Sequence, residues 1–212
     1  MEIVYSDNLP HVLIIKNFYS EEEVNTIWKE LETVHLMDKT QSKKIGGAES
    51  EHGPLKKAIG KWIYYEETPD NELLKISHKV KNHADIFTEY SDYYKDLKLD
   101  LCVSNVLISY YSNGGFYKPH TDFSYITACS YFFKEPKKFS GGNFLIKQRE
   151  KTYVSDPSKF DADIEIENNM IVIFPGHYLH QAKKVEMNSK DFGYGRYCIS
   201  QFYNVFKRKE ND

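Results

Sequence analysis

The chain has no apolar run near the roughly 20 residues that a membrane-spanning helix requires. Its first ten residues, Met1 to Pro10, also lack a basic start followed by an apolar stretch. The expectation is a cytoplasmic chain with neither a secretory signal nor a membrane span. Cysteine is scarce: Cys102, Cys129 and Cys198 form no CxxC pair and no zinc spacing. All three lie in apolar, strand-like runs, which predicts buried free thiols in a reducing compartment. A surplus of one charge is missing too, with 28 basic against 31 acidic residues and a formal net charge of −3. That balance gives no grip on nucleic acid. The pairs Lys43-Lys44, Lys56-Lys57 and Lys137-Lys138 read as solvated loop residues, with substrate steering as the lesser reading.

Aromatic residues are plentiful, with 17 Tyr and 13 Phe among 212 residues. Tyrosine suits a half-buried pleated surface, and the length suits one domain spanning 1–212 with a sizeable core. Up to about residue 98 the pattern is largely helical. Val12 to Ile15 form a short β run. Ser20 and Glu23 then make a capping box, followed by Val24, Ile27, Trp28, Leu31 and Val34 at helical spacing. Residues 37–60 are polar and contain Gly46-Gly47 and Gly53-Pro54, which predicts a long loop, either a flap beside a site or disordered. A second helical region is expected over 71–97.

From about 99 to 206 short β runs replace the helices: 101–111, 126–133, 143–148, 170–174, 181–185 and 197–205. Turn signals such as Asn113-Gly114-Gly115, Ser140-Gly141-Gly142 and Pro175-Gly176 separate them. Helices followed by many short strands predict an α+β domain whose sheet part is a sandwich or barrel.

Within this half lies His120-Thr121-Asp122. Side chains two apart on an extended segment point the same way, so His120 and Asp122 can reach one metal. An HxD pair alone is weak, and it gains weight from the buried run Ile171 to Phe174, which ends at Pro175-Gly176 ahead of His177 and His180. Two histidines and a carboxylate on one face of iron leave positions open for other ligands. Arg196 lies sixteen residues past His180. A guanidinium in a β-rich core needs an anion, and its planar fork matches a carboxylate, either a protein side chain or a ligand. Tyr111 can add a hydroxyl to the same anion.

Tyr111 through Asp122 resembles the Y-x-x-G-x-x-Y-x-x-H-x-D stretch of prolyl-4-hydroxylase-type 2-oxoglutarate/Fe(II) oxygenases. Ser140 to Phe144 resembles that family's GGE-T strand start. Phe174-Pro175 through His180, and Gly195-Arg196-Tyr197, resemble its FP…LH and G-x-R-Y elements. The likeness spans about 100–205. It implies a double-stranded β-helix (jelly-roll) core flanked by N-terminal helices. His120, Asp122 and His180 are implied as catalytic iron ligands, and Arg196, Tyr111 and Tyr131 as binders of the 2-oxoglutarate carboxylate. The implied activity is a dioxygenase reaction: O₂ and 2-oxoglutarate are consumed, a substrate C–H bond is hydroxylated, and succinate and CO₂ are released. Ascorbate is a candidate reductant. The implied substrate is a prolyl residue in a peptide or protein, with a free amino acid or other small molecule as the alternative. Tyr117, Phe123, Tyr125 and Tyr178 suit a groove for either. Membrane and nucleic-acid partners are not expected.

The chain departs from the family pattern at Asn143, where a glutamate is usual, and in Gln201-Phe202-Tyr203, which lacks the usual tryptophan. The gap from His180 to Arg196 is also long, so Lys190 occupies the place of the usual basic residue. Gly-x-Arg-Tyr context favours Arg196, and the Phe-Pro alignment favours His180 over His177. Two other readings stay open: a cupin-like metal-binding protein without 2-oxoglutarate, and a non-catalytic interaction module. The second has to explain an intact HxD…H…R set.

Overall fold

The computed structural model describes residues 1–5, 8–36, 49–50, 53–98, 102–148, 159–188 and 192–205. The chain opens with strands β1 (Glu2–Tyr5) and β2 (Leu13–Lys16), then helix α1 (Glu21–Leu31). Short strands follow: β3 (Glu49–Ser50), β4 (Gly53–Pro54), β5 (Lys56–Lys57) and β6 (Ile59–Ile63). Helices α2 (Glu72–Ser77), α3 (Lys79–Asn82) and α4 (Ala84–Tyr90) come next, closed by a 3-10 turn over Asp92–Lys98. The remainder is strand: β7 (Cys102–Tyr111), β8 (Phe116–His120), β9 (Ile126–Phe132), β10 (Ser140–Gly141), β11 (Phe144–Lys147), β12 (Ala162–Ile164), β13 (Met170–Pro175), β14 (Leu179–Ala182), β15 (Val185–Glu186) and β16 (Arg196–Val205).

Two antiparallel sheets enclose the site. The larger has the order β1-β2-β13-β9-β16-β7-β6, and the smaller has β12-β11-β14-β8-β5. Strand alternation assigns each residue of the larger sheet to one of two cores. Ile171 and Ile173, Ile126, Ala128 and Phe132, and Tyr197 and Ile199 face the helices, where they meet Ile27, Leu31, Leu74, Val80 and Phe87. Met170, Val172 and Phe174, with Cys129, Tyr131 and Cys198, face the smaller sheet and meet Phe144, Ile146 and Tyr178. Burial on both faces explains why 170–174 reads as an unbroken apolar run rather than an alternation.

The Ser20 capping box is present: the Ser20 hydroxyl accepts from the Glu23 backbone N–H, and Glu23 reaches back to the Ser20 N–H. Cys129 and Cys198 are buried free thiols. No helix among the described residues is long and apolar enough to cross a membrane.

Two expectations need correction. Part of the expected loop, 37–48 and 51–52, lies outside the described residues, as do Lys43 and Lys44. The rest is strand. Lys56 and Lys57 pair with Tyr117 and Phe116 at the edge of the smaller sheet, and Ile59–Ile63 pairs with β7. Backbone pairing overrides the polar composition here, because Lys118 N–H also donates to Leu55 C=O. The second helical region is broken into short pieces. Its start is capped by the Asn71 side chain, but at His78 and His83 no side chain caps the next helix.

Gly195 sets the entry of β16. A Cβ there would lie 2.2 Å from the Tyr111 carbonyl oxygen, so only glycine lets Arg196 pair opposite Tyr111. Gly195→Ala is expected to lower stability by about 1–3 kcal/mol, the usual range for overpacking, measured by urea unfolding.

Candidate active site

The expected metal-binding residues converge on one point. His120 ends β8, His180 lies on β14, and the two pair directly across the smaller sheet. Asp122 follows β8 and is held by its own N–H, which donates to Gly176 C=O. One ligand atom from each of His120, Asp122 and His180 lies within 4.8 Å of the others. His120 Nε2 is 3.7 Å from Asp122 Oδ1, and His180 Nε2 is 3.5 Å from Asp122 Oδ2.

The surroundings fix both rings. His120 Nδ1–H donates to Lys118 C=O at 2.8 Å, and His180 Nδ1–H donates to Tyr178 C=O at 2.9 Å. Each ring therefore presents Nε2, with its lone pair, to the common point. Thr127 Oγ donates to Asp122 Oδ2 at 2.7 Å, and its own oxygen lies 2.6 Å from Ser124 Oγ. Burial, reinforced by the charges of His180 and Lys56, holds the His120 pKa down at about 2. His120 is thus a neutral imidazole, the form that binds a metal. Its ring stacks on Tyr117 at 3.5 Å.

His177 is exposed and packs beside Tyr93 and Tyr178; it is not in the cluster. Lys190 lies outside the described residues.

Arg196 lies deeper in the cavity of about 830 Å³ that the triad borders. It is only 1% exposed, yet its Nε and Nη1 have no hydrogen-bond partner, and neither has the buried Tyr131 hydroxyl. Among the described residues no carboxylate pairs with it. The guanidinium carbon instead sits 4.8 Å from the ring centres of both Tyr111 and Tyr131. Gly142 makes room for it: at φ +71° this residue is in the left-handed region, and a Cβ would press on Arg196 Cδ at 3.1 Å. A buried cation with unused donors is costly unless an anion meets it. These orphaned donors fit the carboxylate of a small organic acid, and the nearby two-histidine, one-carboxylate set fits a metal such as Fe(II).

The mouth of the cavity is aromatic. Trp62 stacks on Tyr64 at 5.6 Å and touches Phe202 at 5.5 Å, while Phe123 is fully exposed beside them. Tyr117 and Phe123 line the cavity as expected. Tyr178 does not: it is 2% exposed and its hydroxyl donates to Pro10 C=O, which makes it a core residue. Tyr125 stacks on Tyr93 outside the cavity. Lys56 also departs from expectation. It is drawn into the cavity, where its ammonium donates to Ser109 Oγ at 2.9 Å. Nothing in a Lys-Lys pair announces that, and Thr127 and Ser109 likewise carry no motif.

Residues 106–204 match the model of the 2OG-Fe(II) oxygenase superfamily. That match covers 99 of the 212 residues, and the fold and the site are in keeping with it. The chain is similar in structure to a Pseudomonas putida prolyl-4-hydroxylase, with TM-score 0.58 and 14% identity over 93% of this chain and 94% of that one. It is also similar to IDO from Bacillus thuringiensis, with TM-score 0.52 and 11% identity over the same shares of the two chains. In sequence it is 30% identical to an uncharacterized PKHD-type hydroxylase from Synechocystis sp. over 100 residues, 42% of this chain and 32% of that protein. This chain thus spans about a third of that relative's length. The solved neighbours share the jelly-roll fold.

His180→Ala and His177→Ala separate the two candidate histidines. Isothermal titration with Mn(II) as a redox-silent stand-in is expected to show loss of binding for His180→Ala and wild-type binding for His177→Ala. The reverse ranking would move the metal site to the exposed side of the turn.

Proposed function

We propose that this chain, acting as a single domain, is a 2-oxoglutarate/Fe(II)-dependent dioxygenase that hydroxylates a prolyl residue in a peptide or protein. The observation that carries the reading is the buried Arg196, whose unused donors face the same cavity as the His120–Asp122–His180 cluster. In this reading His120, Asp122 and His180 hold the iron. Arg196 and the Tyr131 hydroxyl take the far carboxylate of 2-oxoglutarate, with Tyr111 packed against the guanidinium. Bound there, the iron and 2-oxoglutarate supply the oxidising power, with O₂ consumed and succinate and CO₂ released.

The chain's own residues do the rest. The carbonyls of Lys118 and Tyr178 keep both imidazoles turned to the metal position. Thr127 holds the Asp122 carboxylate by its Oδ2. Phe144 and Tyr117 cover the histidine rings and shield them from bulk water. At the mouth, Trp62, Tyr64, Phe202 and Phe123 offer flat faces to an apolar ring. Aromatic-lined grooves suit extended, proline-containing chains, which lose little entropy on binding. The prolyl-4-hydroxylase named among the structural neighbours is in keeping with this substrate.

Succinate release across proline-containing peptides, free proline and other free amino acids tests the substrate. Peptides are expected to be turned over and free amino acids not; turnover of free amino acids alone would replace the peptide reading with a small-molecule one. Arg196→Ala is expected to lose about 1.5–3 kcal/mol of co-substrate binding, the range for hydrogen bonds to a charged group. That is roughly a ten- to hundredfold rise in the 2-oxoglutarate requirement, with metal affinity unchanged. Lys190→Ala, titrated beside it, is expected to behave as wild type.

A further inference from the structure

Lys56 is a half-buried cation that the roles assigned so far do not use. It arrives on β5, a strand of two residues at the edge of the smaller sheet. Its ammonium donates to the neutral Ser109 hydroxyl at 2.9 Å. It lies 4.9 Å from the Tyr117 ring centre and 5.9 Å from that of Tyr111. Among the described residues no carboxylate forms an ion pair with it. Burial lowers its pKa to about 8, as expected for an ammonium taken out of water without a counter-charge.

Its place along the cavity is informative. Ser109 and Tyr111 are two apart on β7 and share a face. Tyr111 is opposite Arg196, and Ser109 is opposite Cys198. The Tyr111 ring therefore has the Arg196 guanidinium near it at 4.8 Å and the Lys56 ammonium at 5.9 Å. Lys56 also borders Tyr117, which stacks on His120. The ammonium thus stands between the Arg196 end of the cavity and the histidine end. Both cations border the Tyr111 ring, so a small molecule with an anionic group at each end can meet both.

We propose that Lys56 is a second anchor for the co-substrate: Arg196 takes the far carboxylate, and Lys56 binds the carboxylate at the keto-acid end. The pair selects a dicarboxylate by its two charges. This rests on the reading that the cavity holds 2-oxoglutarate, and it adds a residue from the N-terminal half to that site. A purely structural Lys56 would only bridge β5 to Ser109 and the tyrosine rings.

Direct binding under anaerobic conditions tests the proposal. With Mn(II) in the metal site, Lys56→Met is expected to weaken 2-oxoglutarate binding ten- to hundredfold by isothermal titration, with Mn(II) affinity unchanged. Lys56→Arg keeps the charge and is expected to recover most of the loss, which a role in packing alone does not predict. Metal-free protein supplies a second readout, since glutarate has both carboxylates and no keto group. Wild type is expected to bind glutarate more tightly than pentanoate, and Lys56→Met is expected to abolish that preference. Should Lys56→Met fail to fold, as judged by thermal melting, Lys56→Gln is held to the same criteria. Unchanged 2-oxoglutarate affinity in a folded Lys56→Met or Lys56→Gln protein overturns the proposal. If wild type with Mn(II) binds no 2-oxoglutarate at all, the functional reading itself falls, and this inference with it.

Discussion

A guanidinium enclosed by protein with two idle donors is an unfinished interaction, and the cavity is arranged around it. Arg196 enters between Gly142, whose missing side chain leaves it room, and the rings of Tyr111 and Tyr131. The aromatic faces offset part of the cost of burying the charge through cation–π attraction. They cannot replace the hydrogen bonds its Nε and Nη1 lack. A buried charge held in this half-satisfied state is a stored preference for an anion of matching shape. The position of β16, the register of Gly195 against Tyr111 and the glycine at 142 all serve to keep it there.

The His120–Asp122–His180 cluster at the other end of the cavity is finished in the complementary sense. Each histidine has one nitrogen committed to a backbone carbonyl two residues earlier, so only the other is left to a ligand. Asp122 is steadied by Thr127 and reached by both imidazoles. The rigid scaffold belongs to the strands, and the open valences face the cavity. That division lets a small number of side chains carry chemistry on a sheet whose other face is ordinary core.

Much of this was legible in the sequence, for identifiable reasons. The Ser20–Glu23 box, the strands around 102–111, 126–132, 170–175 and 196–205, and the convergence of His120, Asp122 and His180 depend on local spacing. Local spacing is what a sequence records directly. Arg196 was readable because a charged residue inside an apolar strand conflicts with its surroundings and so marks itself. Lys56 was not. It sits in a polar, glycine-containing stretch where a lysine is unremarked, and only backbone pairing with Phe116 and Tyr117 brings it over the cavity. The same holds for Tyr178, whose position in a turn suggested a groove until its hydroxyl was found on Pro10. Long-range pairing decides both cases, and no window of neighbouring residues contains it.

The order of the larger sheet has a consequence for how the molecule is made. β16 lies in the middle of that sheet, between β9 and β7, and pairs with both along most of its length. Its partners precede it by 65 to 103 residues, so these contacts are among the most non-local in the chain, the kind that form slowly. Until residues 196–205 emerge from the ribosome, β7 and β9 each present an open edge, a template for pairing with other chains. The strand that closes those edges is the one that delivers Arg196. A nascent chain therefore acquires its protection from aggregation and its buried guanidinium in the same event, and a message truncated before this strand would yield a product lacking both.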